Sequence, residues 1–350
     1  MVPPTTTNGS SVRTPRRSSY AGFRNYIKTI GTGPRGRRAL TFDEAHDAAR
    51  AIMAGEVTAA QAGAFLIAMR IKSETPEELA GMVSALRERA TPLQARTTRP
   101  LVLAGGAYDG CVDAPALSLA AAIVAAGVGA GVVVHCGSTL GPKYGVTVAD
   151  VAGVLGAPAR PTAPEAEAML ERSGVAVVNA ATLLPGWTEM SALRDEIGLR
   201  GPLHSAEKLI DWFGIDRFIV GYTHAQYADL LSGALRHLGA AHTYTVRGIE
   251  GSDIARPGRP VVHRDGVDLN LPEQLGDRLP DAPGAEAAAA LTCAVLEGQA
   301  DRISTYTVVL SAAIRLHAVG LAPNVLRGMA VARSAIADGR ARATLDALVG

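Results

Sequence analysis

A chain of 350 residues, 48% apolar but only 4% aromatic, must build its core from Ala, Val, Leu and Ile, which suits close helix-on-sheet packing in one large domain or a large plus a small one. Cys111, Cys136 and Cys293 are too far apart for a disulfide framework or a zinc spacing and fit a reducing cytoplasm. The net charge of +1 hides an asymmetry: residues 1–40 hold eight basic and no acidic side chains, leaving 26 basic against 33 acidic elsewhere.

Residues 1–38 read as a basic arm, too polar and Pro-rich over 1–20 to fold alone. Such an arm either grips a polyanion or solubilises the chain, and no apolar run in it marks a signal peptide. Three capping boxes follow, Thr41 with Glu44, Thr58 with Gln61 and Thr75 with Glu78, the last with Pro76 at the first helical position. They predict helices over 41–54, 58–71 and 75–90, hence a small all-helical domain over 39–97.

From residue 98 the pattern changes to a large α/β domain, 98–350. Apolar runs at 101–104, 131–135, 175–178, 217–221 and 242–246 predict strands. Helical stretches at 115–126, 147–155, 164–173, 224–238, 285–298, 304–319 and 323–337 alternate with them or follow. That alternation predicts a mainly parallel sheet with helical crossovers. The charge-free run 114–134 is long enough to span a bilayer, but Pro115, Gly127, Gly129 and Gly131 make it a helix, a turn and a strand. Residues 185–213 hold two helical segments without a strand and are assigned to the small domain; 251–284 read as a surface excursion.

Several strand ends carry chemistry. "GGAYDG" (105–110) is a glycine turn in which Gly105 and Gly110 let backbone N–H groups approach a phosphate, with Asp109 and Ser118 beside it; it reads equally as a tight strand-to-helix turn. "HCGSTLGPKYG" (135–145) offers His135 and Lys143 in the corresponding place, where parallel sheets bind ligands. "LRDEIGLRGPLHSAEKLI" (193–210) gathers Arg194, Arg200, His204 and Lys208 as a basic lip for a carboxylate, a phosphate or a nucleic-acid backbone, or as ordinary surface charge. "VRGIEGSD" (246–253) places Glu250 and Asp253 where they could hold Mg²⁺, and "YTHAQY" (222–227) adds His224 and Tyr227. No nucleophile elbow or Ser–His–Asp order supports covalent catalysis.

"LTFDEAHDAARAIMAGEVTAAQAGAFLIAMRIKSETPEELAGMVSALRE" and "VLEGQADRISTYTVVLSAAIRLHAVGLAPNVLRGMAVARSAIADGRARATLDAL" resemble the first and last helical regions of the anthranilate phosphoribosyltransferase (TrpD) family and the related pyrimidine nucleoside phosphorylases. The likeness covers about residues 24–350. It implies the nucleoside phosphorylase/phosphoribosyltransferase fold, a cleft between the two domains, Mg²⁺ as cofactor, phosphoribosyl pyrophosphate or a related phosphorylated sugar as donor, and a homodimer formed through the helical domain.

The site motifs are altered. The family's GTGGDG is "GGAYDG", in which Gly105, Asp109 and Gly110 match and Tyr108 puts a ring where phosphate oxygens approach. NIST is "PALS", keeping only Ser118; in KHGNRSVSSKSG the matches are His135, Lys143 and Gly145; the acidic pair becomes Glu250 followed by Gly251; the acceptor-binding arginine persists as Arg194. "RNYIKTIGTGPRGRRALTFDEA", "AYDG", "GLRGPLHSAEKLI", "YTHAQY" and "RGIEG" are similar to a divergent branch of the family typified by YbiB, which implies binding of single-stranded DNA or RNA without anthranilate transfer. Two functions are therefore expected in competition: pentosyl transfer to a small acceptor, and non-catalytic nucleic-acid binding in which the arm, Arg194, Arg200, Lys208 and Arg247 contact phosphates.

Overall fold

A computed structural model describes residues 17–350 except 108, 138, 142, 273, 274 and 277, and omits the side chains of 17–21. Residues 1–16 of the expected arm, and Tyr108, lie outside the described residues. The chain opens with four helices, α1 (Arg17–Gly31), α2 (Phe42–Met53), α3 (Ala59–Lys72) and α4 (Pro76–Arg89). All three expected capping boxes form, with each threonine side chain accepting from the N3 amide while the N3 Glu or Gln accepts from the threonine amide. The arm expected over 1–38 is folded from residue 17 on. Phe23, Tyr26, Ile27 and Ile30 recur on one helical face, and Phe23 and Ile30 are buried, with the Phe23 ring 5.5 Å from that of Phe65 on α3.

The α/β part runs β1 (Leu101–Gly105), α5 (Ser118–Val128), β2 (Gly131–Cys136), α6 (Val148–Leu155), α7 (Ala163–Ser173) and β3 (Val175–Asn179). It continues through α8 (Ala180–Leu183), α9 (Trp187–Ile197), α10 (Pro202–Glu207), β4 (Arg217–Tyr222), α11 (Gln226–His237) and β5 (His242–Arg247). It closes with β6 (Val262–Arg264), β7 (Val267–Asp268), α12 (Gly284–Leu296), α13 (Arg302–Ala318), α14 (Val325–Ala337) and α15 (Arg340–Val349). The sheet order is β3-β2-β1-β4-β5-β6-β7. The first five strands are parallel, in registers such as Gly105 with His135 and with Val220, and β6 and β7 add an antiparallel edge. Both edge strands fall within the surface excursion expected over 251–284.

Strand alternation divides the core. Val102, Ala104, Val132 and Val134 point to one face, where α5, buried from Ser118 to Ala126, lies among α6 and α12–α15. Leu103, Val133, Ala176 and Val220 point to the other, against α7, α10, α11 and the helical unit. α5 and β2 together are the charge-free run, and no helix among the described residues is long and apolar enough to cross a membrane. Segment 185–213 supplies α9 and α10, whose Trp187, Met190, Leu203 and Ala206 share the core of the helical unit. β1 lies where the strand order reverses, with β2 on one side and β4 on the other, so the turns after β1, β2, β4 and β5 meet α9 and α10 at the carboxyl edge of the sheet.

Candidate active site

Two strand-end turns lock together first. Cys111 and Val146 exchange backbone hydrogen bonds of 2.8 Å each, and the Gly145 amide donates to the Asp109 carbonyl. Gly110 sits at φ +79, and a Cβ there would fall 2.3 Å from Gly145, so both positions need glycine. The paired turns lie against the β5 turn, where Glu250 takes a left-handed conformation at φ 50.

The Glu250 carboxylate fills a backbone nest. It accepts from three successive amides, Val112 (2.9 Å), Asp113 (2.9 Å) and Ala114 (3.1 Å), and Lys143 Nζ stands 2.6 Å from Oε2. Burial would raise its pKa, but Lys143 and the amides outweigh burial and hold it below the usual carboxylate range. Successive N–H groups aimed at one point form an anion receptor, and a lysine completes it.

Asp109 faces the helical side. Arg200 Nε donates to its Oδ2 at 3.0 Å, Arg200 Nη2 also donates to it, and Arg194 Nη2 lies 3.9 Å away. Tyr144 Oη donates to Asp195 of α9 at 3.0 Å, and Arg70 donates to the Arg200 carbonyl. The α/β turns are thus tied to α9–α10 across a cleft of about 140 Å³, bordered by Arg70, Glu74, Asp109, Arg200, Lys208, Tyr222, His224, Tyr227 and Glu250. Its cations Arg70, Arg200 and Lys208 are matched by Glu74, Asp109 and Glu250, so it is a charge-paired crevice rather than a basic one.

The expected basic lip is corrected. Arg194 is only 2% exposed and is not among the residues that border this cleft. His204 is buried against the Trp187 ring, 5.2 Å away, and burial, with Arg194 and Arg200 nearby, drops its pKa to about 3, so it is neutral at pH 7. Lys208 is buried beneath β4, donating to the Gly221 carbonyl at 2.7 Å, and burial lowers it to about 8. Arg194, Arg200, His204 and Lys208 therefore do not form an exposed stripe for a nucleic-acid backbone.

The expected Mg²⁺ pair is corrected as well. Asp253 is fully buried, ion-paired to Arg315 of α13, and accepts from Ser118 Oγ at 2.5 Å. Ser118 and Asp253 are thus structural partners beside the cleft, while Glu250 alone of the pair reaches it. Among the described residues no group of three or more His, Cys, Asp or Glu could hold a metal ion.

His135 lies in the sheet, fully buried. Trp212 Nε1 donates to its Nδ1 at 2.9 Å, which leaves the ring hydrogen on Nε2, 2.8 Å from Glu207 Oε1. A second cavity, of about 210 Å³, opens here between the turns after β2 and β3 and helices α9 and α10; Thr139, Leu140, Arg160, Trp187, Ser191 and Glu207 border it. Glu207, Trp212, Arg315, Arg70 and Glu74 were not singled out from the sequence. An arginine inside the apolar stretch "VVLSAAIRLHA" is the one clear signal among them.

Comparison with known proteins now bears on this geometry. The helical bundle domain of a glycosyl transferase family matches residues 24–90, and that family's α/β domain matches 105–342. The anthranilate phosphoribosyltransferase of Methylobacterium nodulans is 34% identical over 340 residues, covering 93% of this chain and 98% of the relative. That of Geobacillus kaustophilus is 33% identical, covering 85% and 90%. The crystal structure of the Thermus thermophilus enzyme (TrpD) superposes with a TM-score of 0.81 at 28% identity, covering 94% of this chain and 98% of that one. The Saccharomyces cerevisiae enzyme, solved in complex with PRPP and Mg, shares the fold at a TM-score of 0.80 and 18% identity, covering 95% and 98%. With both domains matched in order and over nearly the whole length, the chain belongs to the anthranilate phosphoribosyltransferase-like glycosyl transferase family.

Proposed function

We propose that this protein transfers a ribosyl group from phosphoribosyl pyrophosphate, or a close phosphorylated relative, to a small acceptor. The observation that carries this reading is the nest: three successive amides and Lys143 converge on one anionic group at the cleft, which Glu250 fills. Transfer of this kind needs little from the protein beyond positioning and charge stabilisation. The bond from the donor's ribosyl carbon to pyrophosphate opens, and the leaving group takes the electron pair. The acceptor's lone pair then closes on the ribosyl carbon. The amides of 112–114 and Lys143 hold the departing pyrophosphate once Glu250 swings aside. Asp109, fixed by Arg200 and Arg194, orients the turn that carries them.

Mg²⁺ is usually held by one or two carboxylates and the substrate's phosphates. Glu250 fits the carboxylate part of that description and Asp253, buried against Arg315, does not. A bound Mg²⁺ would offset the charge on the leaving pyrophosphate. The same reading places the protein in the cytoplasm, its three thiols unpaired. It makes the working unit a homodimer through the helical domain, where Ile71 is 72% exposed; sedimentation at a single mass of one chain would remove that part.

Calorimetry with phosphoribosyl pyrophosphate and Mg²⁺ is the test. Binding in the micromolar range and competition by inorganic pyrophosphate are expected. No heat at millimolar donor overturns the proposal.

A further inference from the structure

The chain meets its need for positive charge almost wholly with arginine. Of its 34 lysines and arginines only four are lysine, Lys28, Lys72, Lys143 and Lys208. Lys28 is exposed on α1. Lys72 and Lys143 are ion-paired, to Glu78 at 2.7 Å and to Glu250 at 2.6 Å. Lys208 is buried, yet no carboxylate among the described residues reaches ion-pair distance of it. Its Nζ donates to a neutral acceptor, the Gly221 carbonyl, at 2.7 Å. An arginine in that place would stay charged, whereas a buried lysine sheds its proton readily and becomes a nucleophile.

Its place in the fold is a crevice. Lys208 follows α10 directly and packs on Gly105 at the end of β1, where a Cβ would fall 3.3 Å from the Lys208 carbonyl oxygen. Its Nζ meets the end of β4. The side chain therefore lies between the carboxyl ends of β1 and β4, where the strand order reverses, and borders the cleft of about 140 Å³. Arg70 borders the same cleft and is likewise without a carboxylate at ion-pair distance among the described residues. It donates to the Arg200 carbonyl, and a guanidinium has further N–H groups to offer a ligand. Burial lowers the Lys208 pKa to about 8, with Glu207, Asp109 and Asp253 opposing the fall and Arg200 adding to it. Part of the population is therefore neutral amine in mildly alkaline solution.

We propose that Lys208 is a carbonyl-reactive amine that captures a small phosphorylated aldehyde in the cleft as an imine, with Arg70 holding the phosphate. The neutral Nζ attacks the aldehyde carbon with its lone pair, the C–N bond forms, and the carbonyl π electrons move to oxygen. The C–O bond then breaks as the nitrogen lone pair closes the C=N bond. Two protons leave nitrogen and two reach oxygen through solvent, so one water is released and nothing is oxidised. A cavity of about 150 Å³ takes a benzene ring, so the cleft has room for a phosphorylated triose. The imine occupies the crevice that the transferase reading gives to the donor, and the aldehyde acts there as a reversible covalent block. Its formation does not rest on that reading.

The test uses the full-length protein without donor and two probes, glyceraldehyde 3-phosphate and glyceraldehyde. Cyanoborohydride reduces the imine to a stable secondary amine, and mass spectrometry of the digested chain identifies the modified lysine. Lys208 should carry most of the adduct and react about tenfold faster with the phosphorylated probe, as one charge-assisted contact allows. Exposed Lys28 should take both probes at similar rates. In Arg70→Gln most of the preference at Lys208 should be lost. Adduct found chiefly on Lys28, Lys72 or Lys143, or on no lysine, overturns the proposal. So does a Lys208 that both probes label equally fast. A preference unchanged in Arg70→Gln overturns the assignment of the phosphate to Arg70. Because no donor is present, a protein that labels at Lys208 but never binds phosphoribosyl pyrophosphate loses the transferase reading and keeps this one.

Discussion

Glu250 Oε2 stands 2.6 Å from Lys143 Nζ, and the same carboxylate is held by the amides of Val112, Asp113 and Ala114. The protein thus carries its own anion in the place that a pyrophosphate would need. An anionic ligand that uses the nest must displace it, and that ligand's affinity is reduced by the free energy of the displacement. Replacing Glu250 with Gln removes the charge but not the volume. In metal-free buffer, Glu250→Gln should bind inorganic pyrophosphate about tenfold more tightly than the wild type, and Lys143→Met at least tenfold more weakly, by calorimetry. An unchanged affinity in Glu250→Gln would mean that anions bind elsewhere.

Asp253 and Arg315 make a different prediction. Both are fully buried and Ser118 completes the set. Removing one partner of a buried ion pair strands the other, at about 3–5 kcal/mol, whereas replacing both with apolar groups is often neutral. Asp253→Ala should therefore lower the free energy of unfolding by about that amount in a denaturant titration. Adding Arg315→Met should restore most of it. Were Asp253 chiefly a metal ligand, Asp253→Ala would leave metal-free stability nearly untouched.

Much of the scaffold was legible because its signals are local. Four of the five parallel strands are short, mainly apolar runs and the fifth, β5, alternates polar and apolar residues, while the three capping boxes are four-residue patterns that hold whatever packs above them. Helix α1 is masked in the sequence by its basic residues, although the spacing of Phe23, Tyr26, Ile27 and Ile30 marks a buried face. The site was legible only as a set of positions. Asp109, Lys143 and Glu250 could be picked out as candidates from strand ends, but partner choice is tertiary. Nothing near Asp253 in the chain announces Arg315, 62 residues away, and nothing near Glu207 announces His135. Charges that read as a basic surface are inside because carboxylates and carbonyls from other strands meet them there.

His204 gives a pH signature. Burial, followed by Arg194 and Arg200, lowers its pKa from 6.5 to about 3 in the folded protein. Below pH 6.5 the unfolded chain takes up a proton that the folded one refuses, so this group's stability is full above that pH and is lost as pH falls toward 3. The slope in that window is up to about 1.4 kcal/mol per pH unit. His204→Gln should unfold less steeply on acidification than the wild type between pH 6 and 4. The two curves of unfolding free energy should run parallel above pH 7. Parallel curves throughout would mean that His204 is protonated in the folded state as easily as in the unfolded one.

Lys208 should be visible in ligand binding on the alkaline side. Its ammonium borders the cleft and is buried, and burial lowers its pKa to about 8, with Glu207 and Asp109 opposing the fall and Arg200 adding to it. Below that pH it adds a positive charge to the cleft; as pH rises through it, that charge is lost while the arginines stay charged. The affinity of the wild type for inorganic pyrophosphate should therefore fall between pH 7 and 9 relative to Lys208→Met, which holds a similar volume without a charge. Pyrophosphate's own ionisation cancels in the ratio of the two. The ratio should be several-fold at pH 7 and approach one at pH 9. A ratio that stays constant over the range would place the ammonium too far from the anion to matter, or its titration well above pH 9.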